Sequence, residues 1–132
     1  MFEYHGWITV RESATGDDDE ARLAGIAEEL RRRVARAADP YLLDLRWMNG
    51  ELFLHLGGNS NRAAAASGVL DLFAHAGVVA PGSYGLLHVR DDEDPRHGDE
   101  VRVFRLARGR VSAHTEPLLS PCVPALEDPY AG

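Results

Sequence analysis

Two alternating runs separated by two residues organise the chain. In YLLDLRWMNGELFLHLGG, residues 41–58, Leu43, Leu45 and Trp47 alternate with Leu42, Asp44, Arg46 and Met48. After Asn49-Gly50, Leu52, Leu54 and Leu56 alternate with Glu51, Phe53 and His55. Period-two patterning on both sides of Asn-Gly predicts a β-hairpin with a type I′ turn, in which both central residues take positive φ. A two-residue turn also sets the register. Met48 falls opposite Glu51, so Trp47 meets Leu52, Leu45 meets Leu54 and Leu43 meets Leu56 on one face, while Arg46 meets Phe53 and Asp44 meets His55 on the other. The first face is an apolar surface that helices must cover; the second is mixed.

The remaining elements follow from period and punctuation. Residues 2–11 read as a strand, with Phe2, Tyr4, Ile8 and Val10 on one side, Glu3, His5, Trp7 and Thr9 on the other, and Gly6 marking a bulge or a close backbone approach. Residues 18–38 read as a helix whose apolar face is Leu23, Ile26, Ala27, Leu30, Val34 and Ala37. Asp17 or Asp18 caps it, Glu28 and Arg32, and Glu29 and Arg33, form i,i+4 pairs, and Asp39-Pro40 stops it. A second helix spans about 61–75, capped by Ser60 or Asn61, with Ala64, Ala65, Val69, Leu72 and Phe73 inward and Gly77 ending it. YGLLHVR at 84–90 and VRVFRLAR at 101–108 are strands four and five, and Gly109 turns the chain. From Thr115 the prolines 117, 121, 124 and 129 exclude a regular element, while Leu118, Leu119, Cys122, Val123 and Leu126 predict packing along the body.

The order β-α-β-β-α-β-β implies an α+β fold: a five-stranded, mainly antiparallel sheet with two helices on one face. It is a ferredoxin-like core of strand order 4-1-3-2 with the fifth strand beside the fourth. The opposite face stays open and carries Glu3, His5, Trp7 and Thr9 beside Glu51, Phe53 and His55, with Asp44 and Arg46 on the next strand. A length of 132 residues fits one domain, 1–132, whose last part, 115–132, is an irregular proline-rich tail.

Charge narrows the partners. A formal net charge of -7 argues against nucleic acid, which needs a basic footprint, and suits a basic protein. The acidity is concentrated: residues 91–100 hold Asp91, Asp92, Glu93, Asp94, Asp99 and Glu100 against Arg96 alone. Like charges this dense project into water unless a cation relieves them. Calcium does not suit the spacing, which is not that of an EF-hand loop, so a basic protein surface is the expected counterpart. The single cysteine, Cys122, excludes an internal disulfide and a cysteine-cluster metal site. With no signal-peptide pattern and no membrane-span-length apolar run, a cytoplasmic location and no membrane partner are expected.

Catalytic chemistry has one candidate, His5, Asp44 and His55 on the open face, since a carboxylate that orients a histidine suits general-base work. Cross-strand pairing alone places Asp44 opposite His55. Zinc-protease, Walker and nucleophile-elbow motifs are missing. We therefore expect no enzyme, no cofactor and no metal.

Three separated stretches carry a family resemblance. MFEYHGWITVRES at the start, GSYGLLHVRDDEDP with VRVFRLARGR in the middle, and PLLSPCVPALED near the end resemble the immunity protein 7 family of bacterial polymorphic toxin systems. The matching positions are Gly6, Trp7, Tyr84, Gly85, Leu86, Arg90, Asp91, Asp92, Arg108, Gly109, Leu119, Ser120, Pro121, Cys122, Pro124 and Glu127. The resemblance implies an α+β protein with a prominent tryptophan that protects a cell from the toxin encoded beside it. Its implied partner is the C-terminal domain of that toxin, and a nuclease toxin would offer a basic channel to the acidic loop. The contact candidates are Asp91, Asp92, Glu93, Asp94, Asp99, Glu100 and Trp7, on a protein that is a monomer or weak dimer when free. The competing readings are a homo-oligomeric ligand-binding module joined through the open face, which a hetero-complex with the neighbouring gene product would displace, and a small hydrolase using His5, Asp44 and His55, which turnover lost on His55→Ala would reveal.

Overall fold

A computed structural model describes residues 1–15, 19–36, 41–61 and 63–130 of the chain. The alternating stretches become strands β1 (Phe2–Val10), β2 (Leu42–Met48), β3 (Glu51–Ser60), β4 (Tyr84–Asp91) and β5 (Val101–Ala107), and a further strand, β6 (Arg110–Thr115), follows. The helices are α1 (Glu20–Arg36), α2 (Ala63–Val79) and a short α3 (Cys122–Ala125). All six strands form one sheet of order β2-β3-β1-β4-β5-β6, antiparallel throughout. The first four lie in the expected order, with β5 beside β4. Among the described residues, six strands and three helices replace the expected five and two.

The hairpin register is the predicted one at every pair, from Met48 opposite Glu51 to Leu43 opposite Leu56. Asn49 and Gly50 have φ of 50° and 81°, as a type I′ turn demands. The sixth strand arises the same way. Arg108 and Gly109, with φ of 51° and 74°, make a second two-residue turn that folds β6 back on β5. Arg-Gly is a weak turn signal and RVSAHT lacks clear alternation, which hid this hairpin.

One face of the sheet buries Phe2, Tyr4, Ile8 and Val10 of β1, Leu52, Leu54 and Leu56 of β3, and Leu87, Val89 and Leu106. Leu23, Ala27 and Leu30 of α1 and Val69, Phe73 and Ala76 of α2 complete that core. Three glycines are small because neighbours require it. A Cβ on Gly6 would stand 2.7 Å from the Leu87 side chain, which makes Gly6 a close approach, and the unbroken register of β1 shows no bulge there. At Gly85 it would run into the Trp7 carbonyl oxygen. At Gly77 it would meet Leu106 at 2.5 Å; this glycine therefore seats α2 on β5 instead of ending the helix, which continues to Val79.

Other local expectations shift. Asp19 caps α1, its Oδ1 accepting from the N–H groups of Ala21 and Arg22 at 2.9 and 3.2 Å. Glu28 pairs with Arg31 at i,i+3, and Glu29 lies 3.7 Å from His75, in place of the two expected i,i+4 pairs. Ser60 ends β3, opposite Phe2. The caps Asp17 and Asp18, Ala37 and the Asp39-Pro40 stop lie outside the described residues, as do the side chains of Ala64 and Ala65. Among the described residues no helix is long and apolar enough to cross a membrane.

The tail is held by polar contacts more than by apolar packing. Cys122 is fully buried, and burial pushes its thiol pKa up, whereas Leu118, Leu119, Val123 and Leu126 are exposed. The Glu116 carboxylate accepts from the N–H groups of Leu118 and Leu119, each at 2.6 Å, and Ser120 Oγ accepts from Val101 N–H at 2.9 Å. Arg90 and Glu127 pair at 3.0 Å. The expected packing along the body is thus a clasp around the β4–β5 end of the sheet.

Candidate functional site

The connection from Asp91 to Glu100 divides its six acids into two groups. Four build the loop. Asp91 Oδ1 accepts from Glu93 N–H at 3.1 Å, and Asp94 Oδ1 accepts from Arg96 N–H at 2.9 Å and His97 N–H at 3.2 Å. The Arg96 N–H, followed by that of His97, holds the Asp94 carboxyl below the ordinary carboxylate range. Asp99 takes the tail, its Oδ1 accepting from Val123 N–H at 2.6 Å and its carbonyl oxygen from Cys122 N–H at 2.8 Å. Glu100 meets His97 Nδ1 at 3.0 Å and accepts from Thr115 Oγ1 at 3.2 Å. These contacts are structural.

Asp92 and Glu93 point outward. Their side chains are 47% and 79% exposed, with the Met1 amine 3.0 and 3.8 Å away. Among the described residues the ion pairs of the six acids are made with that amine and with His97, and none with an arginine. Arg90, the nearest arginine in sequence before the loop, is committed to Glu127. The connection therefore keeps a net negative charge, with Asp92 and Glu93 the two acids whose side chains make no contact within the loop or with the tail.

The open sheet face supplies the second half of the site. Trp7 lies on the central strand β1, between His55 of β3 and Leu86 of β4, and is 37% exposed. Tyr84 packs edge-on against its indole, ring centroids 6.0 Å apart at 88°, and is itself 41% exposed. The guanidinium of Arg11 lies 5.5 Å over the Tyr84 ring and pairs with Glu51 at 2.8 Å, so the tyrosine is held on both sides. Phe53 stands beside His55, rings 6.4 Å apart. The tail leaves Trp7 uncovered, since its clasp reaches the sheet at Arg90 and Val101. Asp91 lies five positions along β4 from Leu86, the Trp7 partner, a distance of about 17 Å. An ordinary protein interface, roughly 30 Å across for a patch of about 800 Å² per partner, spans both.

Asp44 and His5 of the catalytic alternative are paired elsewhere. Asp44 does lie opposite His55, but its carboxylate pairs with Arg46, at 2.7 and 3.1 Å. His5 Nε2 is 2.8 Å from Glu3, and His5 falls opposite Gly57, two positions from His55. Among the described residues no three His, Cys, Asp or Glu side chains converge as metal ligands would.

Sequence reasoning placed Trp7 and the loop acids but missed the Arg11 support of Tyr84 and the role of Glu116. Arg11 follows β1 directly, so its contact with Tyr84 depends on β4 lying beside β1, a long-range fact.

A family model described as Immunity protein 7 (Imm7) aligns with residues 1–128. No curated protein and no solved structure matches the chain.

Proposed function

The chain belongs to the immunity protein 7 family, and on that premise we propose that it binds and neutralises a cognate bacterial toxin, without catalysis, in the cytoplasm of the cell that makes both. The observation that carries the contact surface is the combination, on the same sheet, of an acidic loop that forms no ion pair with an arginine among the described residues and the exposed Trp7–Tyr84 pair. The partner surface is basic and belongs to the toxin's C-terminal domain; in a nuclease toxin it is the channel that otherwise takes phosphate. Asp92 and Glu93 steer the encounter, since complementary charge acts mainly on association rate. Trp7 and Tyr84 hold the complex, as aromatic side chains near an interface centre commonly do. Asp91, Asp94, Asp99 and Glu100 act indirectly by fixing the shape of the loop.

Co-expression with the C-terminal domain of the toxin encoded next to it tests this reading. The expected outcome is protected growth and a purified hetero-complex, with protection reduced by Trp7→Ala combined with Asp92→Asn and Glu93→Gln. Protection lost in a His55→Ala variant that still binds the toxin would favour the enzymatic alternative instead.

A further inference from the structure

The edge strand β2 carries an arrangement that toxin binding does not use. It is the outermost strand on its side of the sheet, and Leu42, Trp47 and Met48 on it are 57%, 44% and 39% exposed. Edge strands are commonly blunted by charged side chains, proline or a bulge; LLDLRWM has no proline or bulge, its two charges, Asp44 and Arg46, offset each other, and its pairing with β3 is regular from end to end. The other edge, β6, exposes one large apolar side chain, Val111.

Hydrogen-bond parity sets what can be added to β2. In a hairpin closed by a two-residue turn the flanking residues, here Met48 and Glu51, exchange both backbone bonds. Met48, Arg46, Asp44 and Leu42 therefore direct their backbone groups toward β3, and Leu43, Leu45 and Trp47 direct theirs outward. The sequence is symmetric about Leu45. Antiparallel pairing of β2 with another β2, centred on Leu45, places Leu43 opposite Trp47 and Leu42 opposite Met48, and sets Asp44 across from Arg46 twice. The three outward-facing residues of each strand then all pair. The two adjacent registers of the same parity fail: one sets Asp44 against Asp44, the other Arg46 against Arg46, and like charges directly opposite are destabilising.

From this self-complementarity we infer that the chain forms a two-fold symmetric homodimer through β2, which joins two sheets into one continuous sheet. The occupant of the edge is a second copy because charge and apolar pattern match under reversal of the strand, as an isologous contact requires. The toxin site, at Asp92, Glu93 and Trp7, lies off this edge, so each protomer keeps its own.

Light scattering and sedimentation on the full chain, without toxin, test the inference. A mass near twice 14.5 kDa is expected, with a dissociation constant of about 10 µM or tighter. Asp44→Arg and Arg46→Asp are each expected to weaken association at least about tenfold, because every substitution acts twice across the two-fold axis. The double variant Asp44→Arg/Arg46→Asp restores the symmetric pattern and is expected to restore the dimer, with circular dichroism confirming that all variants are folded. A chain that stays monomeric at all accessible concentrations overturns the inference. So does a dimer that the single variants leave intact, or one that the double variant fails to recover.

Discussion

Single residues decide the geometry of the site at two points. Gly85 is the sharper one: any side chain there meets main-chain atoms of β1 beside Trp7, which cannot move without breaking the β1–β4 pairing. Gly85→Ala is therefore expected to destabilise the fold by at least about 3 kcal/mol in chemical denaturation, and to displace the indole. Asp94 is the second. Its carboxyl titrates below its unfolded value of 3.8 because it accepts the Arg96 and His97 N–H groups. Its stabilisation of the loop is thus fully present above that value and is lost as pH falls through the lower, folded one. Amide exchange at Arg96 and His97 should accelerate under acid in the native chain. In Asp94→Asn, whose amide oxygen still accepts both bonds, that acid sensitivity should disappear, and in Asp94→Ala exchange should be fast at every pH.

At the scale of elements, the two-residue turns show what sequence can and cannot reveal. Asn49-Gly50 announces itself, and every β2–β3 pair follows from it. Arg108-Gly109 adopts the same left-handed geometry with a first residue that resists it, so the turn itself is a weaker signal than Asn-Gly and the hairpin shows in the β5–β6 pairing. Arg108→Asn is expected to raise stability by about 0.5–1 kcal/mol, read as a shifted denaturation midpoint with unchanged slope. Gly77 misled for a related reason. A glycine near a helix end reads as a stop, yet here the missing side chain is what Leu106 occupies, a contact set by tertiary packing. The tail was legible as irregular but not as a polar clasp, because Glu116 and Ser120 gain meaning only once Leu118, Leu119 and Val101 lie beside them.

For the molecule as a whole, helices cover one side of a six-stranded sheet and leave aromatic residues on the other, with a negative loop at one end. The loop acids and Trp7 were visible in the sequence as composition and alternation. Which acids remain available was not, since only the folded connection shows Asp91, Asp94, Asp99 and Glu100 bound into their own backbone and tail. This division makes a specific claim about recognition. The proposed steering by Asp92 and Glu93 acts through a field that reaches only about 8–10 Å at physiological salt, so its contribution should fade as salt rises.

The most direct test is the association rate between the chain and its cognate toxin domain, measured from low to high ionic strength for the native protein and for Asp92→Asn/Glu93→Gln. The account predicts an association rate about tenfold slower for the variant at low salt, converging with the native rate at high salt, while dissociation changes little. Equal rates at every ionic strength, or no complex with the native chain, would contradict it.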